Sequence, residues 1–161
     1  MHIHIRENQC TLSLDSSGFS LHKRNYRDSS HPAPINEVLA AGMLMLAGWE
    51  GQTNLIDPMC GSGTILSEAA LIAQNIPPGM LRNYKYSFMN WRDFDKELWK
   101  TIRAEATAQK KPFEHKLLGY DKSPIAIRTA KDMLFQPEFY PIRFAKSSFC
   151  LLYTSPSPRD S

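Results

Sequence analysis

Apolar and polar residues alternate through HIHIR and again through CTLSL, on either side of the polar ENQ. A period of two is that of a strand, so Met1 to Asp15 is predicted to form a β-hairpin. DSSGFS breaks the alternation, and LHKRNYRDSSHP makes a basic connection to the next element. Beyond Pro34 the period lengthens. Ile35, Val38, Leu39, Met43 and Leu46 recur at helical spacing, predicting a helix. Pro34 suits its first turn and Gly48 its end.

A short buried strand is expected at Asn54 to Ile56. A helix from Gly63 to about Asn75 follows, with Leu66, Ala69, Ala70 and Ala73 facing inward. IPPGMLRNYKYSFMNWRDFD has no single period and is rich in aromatics. After it, Leu98, Trp99, Ile102 and Ala106 mark one face of a helix from about Asp95 to Lys110. KLLGYD, from Lys116 to Asp121, predicts a strand ending in an acid. SPIAIRTAKDMLFQ predicts a helix capped by Ser123 with Pro124 first. IRFAKSSF predicts one more strand. Strand, helix, strand, helix, strand implies a parallel sheet of the doubly wound kind.

Composition narrows the class without choosing a function. The chain has 161 residues, one domain by length, and 42% hydrophobic and 22% charged residues are ordinary for a globular protein. Its net charge of +3 allows a nucleic-acid partner but does not require one. Cys10, Cys60 and Cys150 are few, odd in number and far apart, which suits a reducing compartment and a cytoplasmic location. His2 and His4 fall on the hairpin's outer face with no metal-ligating companions, and no apolar stretch has transmembrane length, so neither a metal nor a membrane is expected. CLLYTSPSPRDS, at 150–161, departs from everything before it and resembles the translation of a sequencing-library adapter. A non-native tail on a truncated fragment is expected there.

The chemistry concentrates at LIDPMCGSGTILSEAA. An apolar run reaches Asp57, turns through Pro58, Gly61, Ser62, Gly63 and Thr64, and enters a helix. A phosphate-binding loop would need a lysine after its glycines, and none follows. A dinucleotide fingerprint would need a third glycine where Leu66 stands, and Asp57 would repel a diphosphate. S-adenosylmethionine fits better, because its methionine end carries an ammonium beside a cationic sulfonium. Glycines let backbone N–H groups approach, and a helix start can face the carboxylate. Asp121, closing the next strand, stands where a bidentate acceptor could take both ribose hydroxyls.

LDSSGFSLHKRNYR, APINEVLAAGMLMLAGW, LIDPMCGSGTILSEAALIAQNIPPG, WRDFD and LLGYDKSPIAIRTAKDML together resemble the large-subunit ribosomal RNA guanine-N2 methyltransferases. In that family a class I catalytic domain follows an RNA-binding THUMP domain. The resemblance implies a partial Rossmann-like class I methyltransferase fold, a parallel sheet flanked by helices and preceded by the hairpin. It implies residues 1–30 as lead-in and 31–149 as the N-terminal half of the methyltransferase domain. It places Asp57, Pro58, Gly61, Ser62, Gly63 and Thr64 on the cofactor loop and makes Asp121 the ribose acid. Asp57 and Asp121 stand 64 residues apart, where a simple βαβ unit needs about 30; the family carries the same insert. Its catalytic Asn-Pro-Pro-Tyr run is absent from this chain, and SSFC replaces the acid that faces adenine after the third strand. Cofactor binding is therefore expected without complete catalysis.

Large-subunit ribosomal RNA is the partner so implied. HKRNYR mixes cations with an aromatic, and Lys23, Arg24, Tyr26 and Arg27 are its candidate RNA contacts beside the plainer possibility of a solvated charged loop. Cys60 lies inside the cofactor loop, where a small residue is needed for packing, and is read as structural rather than nucleophilic. Two other functions stay open. One is a DNA adenine-N6 methyltransferase, whose loop can also read DPxxGSG; the other is a non-catalytic cofactor- or RNA-binding module.

Overall fold

The computed structural model describes residues 1–26, 35–82, 85–134 and 136–147. Arg27, Pro34 and the 150–161 tail lie outside them.

β1 (His2–Arg6) and β2 (Gln9–Ser13) form the expected antiparallel hairpin, with Ile3 opposite Leu12 and Ile5 opposite Cys10. Its two-residue turn, Glu7 and Asn8, has positive φ at both positions, the twist that matches paired strands. Both faces are exposed, so the hairpin stands off the core.

α1 (Glu37–Leu46) begins one turn later than Pro34 suggests. Asn36 caps it, its side chain accepting from the Val38 and Leu39 N–H groups. Gly48 ends it: the Trp49 N–H reaches the Leu44 carbonyl at 3.1 Å and the Gly48 N–H the Met45 carbonyl at 3.0 Å. The buried face is not the one that the helical spacing marks. Glu37, Ala40 and Leu44 are buried, whereas Val38, Leu39, Met43 and Leu46 are exposed. Small Ala40 lets α1 lie close to α2, and a helix apolar on most sides has no period that selects one face.

β3 (Leu55–Asp57), β4 (Leu117–Asp121) and β5 (Ile142–Lys146) build a parallel sheet in the order β3-β4-β5. Leu55 pairs with Leu117, and Leu117 with Ile142. α2 (Thr64–Ala73) packs on this sheet with Leu66, Ala69 and Ala70 fully buried as expected, and Ala73 half-buried. The contact is close because Gly119 has no side chain. A Cβ there would stand 2.8 Å from a Leu66 methyl and 2.6 Å from the Phe144 ring. α4 (Pro124–Met133) starts as predicted, Ser123 Oγ accepting the Ala126 N–H at 3.3 Å with Pro124 first. Phe139, Leu71 and Leu117 complete the core around Leu66.

The insert between α2 and β4 ends in α3 (Lys96–Ala108), capped by Asp95. Only half of its expected stripe faces inward: Trp99 and Ala106 are half-buried, Leu98 and Ile102 exposed. Trp99 meets Tyr86 and Phe88 edge-on, with ring centroids 5.6 and 5.4 Å away, and Phe94 joins them. This satellite cluster, not the main core, anchors the helix. The fold thus has the expected layout: a three-stranded parallel sheet with flanking helices, preceded by a hairpin.

Candidate functional site

Parallel pairing brings the C-terminal ends of β3 and β4 side by side, so Asp57 and Asp121 close adjacent strands at one edge of the sheet. The loop from Pro58 to Gly63 folds over that edge. The Cys60 N–H bonds the Tyr120 carbonyl at 2.9 Å, and the Gly61 N–H bonds Asp121 Oδ2 at 3.0 Å. Asp121 Oδ1 accepts the Ser123 N–H at 2.8 Å, so one carboxylate ties the glycine turn to the start of α4. Asp57 Oδ1 takes the Met59 N–H at 3.1 Å.

Both loop glycines have left-handed backbones, φ 53° at Gly61 and 80° at Gly63, which a side chain would strain. They differ in what surrounds them. A Cβ on Gly63 would touch Phe144 and Leu134, at 3.0 and 3.1 Å, so Gly63 seats the turn on the core. A Cβ on Gly61 would meet nothing within 4 Å. Open space therefore lies above the turn, where a ligand could approach the backbone. Ser62 and Thr64 are buried with their hydroxyls 3.4 Å apart, and Pro58 is half-buried beside Asp57.

Burial lifts the Asp57 carboxyl above its ordinary value, and the negative charge of Asp121 adds to the effect. Two acids at one strand edge, with few donors between them, make a site short of positive charge. The Cys60 thiol is pushed up to about 12, first by burial and then by Asp57 and Asp121. Such a thiol is a poor nucleophile. Native alkylation followed by peptide mass mapping should therefore modify exposed Cys10 and spare buried Cys60. Labelling of both at equal rates would contradict a structural role for Cys60.

The basic stretch is largely turned inward. Tyr26 is 3% exposed, its hydroxyl donates to Glu68 Oε1 at 2.7 Å, and its ring meets Phe139 edge-on. Arg24 reaches the same carboxylate through Nε at 3.3 Å and a second guanidinium nitrogen at 3.4 Å. Glu68, 1% exposed on α2, is a residue the sequence reading missed. Its only signal is an acid at an inward position of LSEAAL. Burial raises its carboxyl, and the Tyr26 hydroxyl and Arg24 charge oppose that rise. Lys23 is exposed, so of the four basic-stretch candidates it is the described one that faces solvent. Among the described residues, no three His, Cys, Asp or Glu side chains gather as a metal site, and no helix is long and apolar enough to cross a membrane.

Residues 24–140 match the family described as UPF0020: RMKL-like, methyltransferase domain. The chain is 44% identical over 138 residues to a ribosomal RNA large subunit methyltransferase K/L of Desulfotalea psychrophila, covering 81% of this chain and 19% of that protein. It is 40% identical over 136 residues to the protein of the same name from Vibrio campbellii, covering 82% and 19%. A solved structure of a protein assigned as a methyltransferase, complexed with SAH, superposes with a TM-score of 0.81 at 30% identity, over 91% of this chain and 38% of that one. A Listeria monocytogenes structure, assigned as an N6-adenine-specific DNA methylase, gives 0.79 at 35% identity over 91% and 38%. The chain spans about a fifth of the length of these curated relatives.

Proposed function

Because the chain belongs to the RMKL-like methyltransferase domain family, we propose that it is the methyl-donor-binding portion of an S-adenosylmethionine-dependent enzyme that methylates guanine N2 of large-subunit ribosomal RNA. The convergence of Asp57 and Asp121 beneath an open two-glycine turn carries the proposal. The residues suit the donor: an acidic edge accepts a cationic amino-acid end, and Gly61 leaves space above its backbone.

In this assignment Asp121 accepts the ribose hydroxyls, and Asp57 pairs with the ammonium. Gly61, Ser62, Gly63 and Thr64 surround the amino-acid end, whose carboxylate faces the start of α2. Pro58 fixes the departure of the chain from Asp57. When bound, the sulfonium cofactor supplies an electrophilic methyl group for in-line transfer to an exocyclic amine. The chain's contribution is then positioning. It contains no Asn-Pro-Pro-Tyr run, the element that the resemblance implies would hold the acceptor base. The SAH-bound neighbour supports the donor, and the K/L relatives support ribosomal RNA as acceptor. Lys23 is the exposed candidate for RNA contact, in a cytoplasmic setting. The division at 1–30, 31–149 and a non-native 150–161 belongs to the same proposal.

Calorimetry of the chain with S-adenosylhomocysteine tests the donor site. Binding is expected, and Asp57→Asn should weaken it about tenfold, the scale of one lost charge-assisted hydrogen bond. The pH dependence has a definite sign. A carboxyl raised in the folded state favours its protonated form, so Asp57 contributes stability at low pH that is lost as pH rises from 3.8 through its raised value. A cationic ligand favours the ionised form, so affinity should rise over the same interval and level off above it. Asp57→Asn should abolish that rise. No binding by the folded wild-type chain would overturn the donor assignment.

The Listeria neighbour motivates a second acceptor, adenine N6 of DNA. Mass spectrometry of nucleosides from cells with and without the gene separates the two: loss of N2-methylguanine from ribosomal RNA or of N6-methyladenine from DNA.

A further inference from the structure

The far end of the sheet carries a second concave site, unrelated to the glycine turn. At the N-terminal ends of β4 and β5, the chain entering each strand leaves a cavity of about 450 Å³. That is within the size range of small-ligand pockets, about 300–1,000 Å³. Its lining combines His115, Lys116 and Arg143 with the rings of Phe113 and Tyr140. β4 separates this cavity from Asp121 by four residue steps, about 13 Å of strand.

The polar groups here are held but not used up. One Arg143 nitrogen, Nη1, donates to the carbonyls of Tyr140 and Ile142, which fixes the guanidinium at the rim. Among the described residues, its remaining nitrogens and the Lys116 ammonium have no hydrogen-bond or ion-pair partner. The His115 ring meets Phe113 edge-on at 6.0 Å, which keeps it at the cavity wall. Tyr140 is 58% exposed, leaving its ring free to stack. The nearby acid, Glu138, is already paired with Lys110 at 3.2 Å, and Glu114 is the other carboxylate in the entering segment. The local balance is cationic.

We propose that this cavity binds a single-stranded RNA segment, with Lys116 and Arg143 on phosphates and Tyr140 stacked against a base. Fixed cations beside exposed aromatic faces are what a sequence-tolerant single-strand site requires. A simple anion would use the cations and ignore the ring, and an apolar partner would do the reverse. The choice of RNA over another polyanion with planar groups rests on the function proposed above. The site gives a large substrate a second hold, at the end of the sheet opposite the methyl donor.

Fluorescence anisotropy of the full chain with a short labelled single-stranded RNA, across a salt series, tests this. The Lys116→Gln/Arg143→Gln double variant should lose about tenfold in affinity and flatten the salt slope by about 1.4, the share of two phosphate contacts on a single strand. Tyr140→Ala should lose about fivefold or more with the slope unchanged. Lys100→Gln, a distant exposed cation on α3, should match wild type. S-adenosylhomocysteine affinity should be the same in all variants, which keeps failure of the donor site separate from failure of this one and shows that each variant is folded. Wild-type RNA binding by the double variant would overturn the proposal. So would a Tyr140→Ala chain that binds as wild type does, because the surface would then be a non-specific anion patch.

Discussion

Asp121→Ala is expected to weaken S-adenosylhomocysteine binding by about a hundredfold or more, the largest binding effect of any single substitution at the site. Two ribose hydroxyls lose a charged acceptor, and hydrogen bonds to charged groups contribute roughly 1.5–3 kcal/mol each. The loop loses as well. With no carboxylate at position 121, the Gly61 and Ser123 N–H groups both lose the partner that joins the turn to α4. Asp121→Asn keeps one oxygen acceptor and should fall between the two. Calorimetry reads the affinities, and equal binding by wild type and Asp121→Ala would sink the ribose assignment.

The largest stability effect is expected at Glu68. Its carboxylate holds the Tyr26 hydroxyl and the Arg24 guanidinium, whose side chain is itself only 13% exposed. Glu68→Ala leaves a nearly buried cation without its counter-charge and a buried hydroxyl without its acceptor. Breaking such a pair by removing one partner costs about 3–5 kcal/mol, against a total domain stability of about 5–15 kcal/mol. Glu68→Gln keeps an acceptor for Tyr26 and should cost less. Urea denaturation followed by circular dichroism measures the difference. An alanine variant within about 1 kcal/mol of wild type, inside the usual range for surface changes, would show that the network does not tie the N-terminal connection to α2.

The glycine turn and its two acids were legible in the sequence because their chemistry is local. Asp57, Gly61 and Gly63 lie within seven residues of one another, and the strand-end position of Asp121 follows from the apolar run before it. The caps at Ser123 and Gly48 were legible for the same reason. What the sequence concealed depends on contacts between distant segments. α1 is apolar on most sides, so only its packing on α2 decides that Ala40 and Leu44 turn inward while Leu39 and Met43 do not. HKRNYR has the composition of a nucleic-acid contact. Only a carboxylate 42 residues from Tyr26 shows that Arg24 and Tyr26 are internal anchors. The basic cavity is assembled from α2's end and the segments entering β4 and β5, so no short window contains it.

The open side of β3 sets how a solution of this chain behaves. Among the described residues β3 is an outer strand of the sheet, with Ile56 exposed and the uncovered residues of α1 close in sequence. A bare strand edge with apolar neighbours is a template for another molecule's backbone. Loss of soluble protein in a preparation would then be a second-order process, rising with the square of concentration while the folded unit itself stays intact. Dilution, more than cooling, would preserve it.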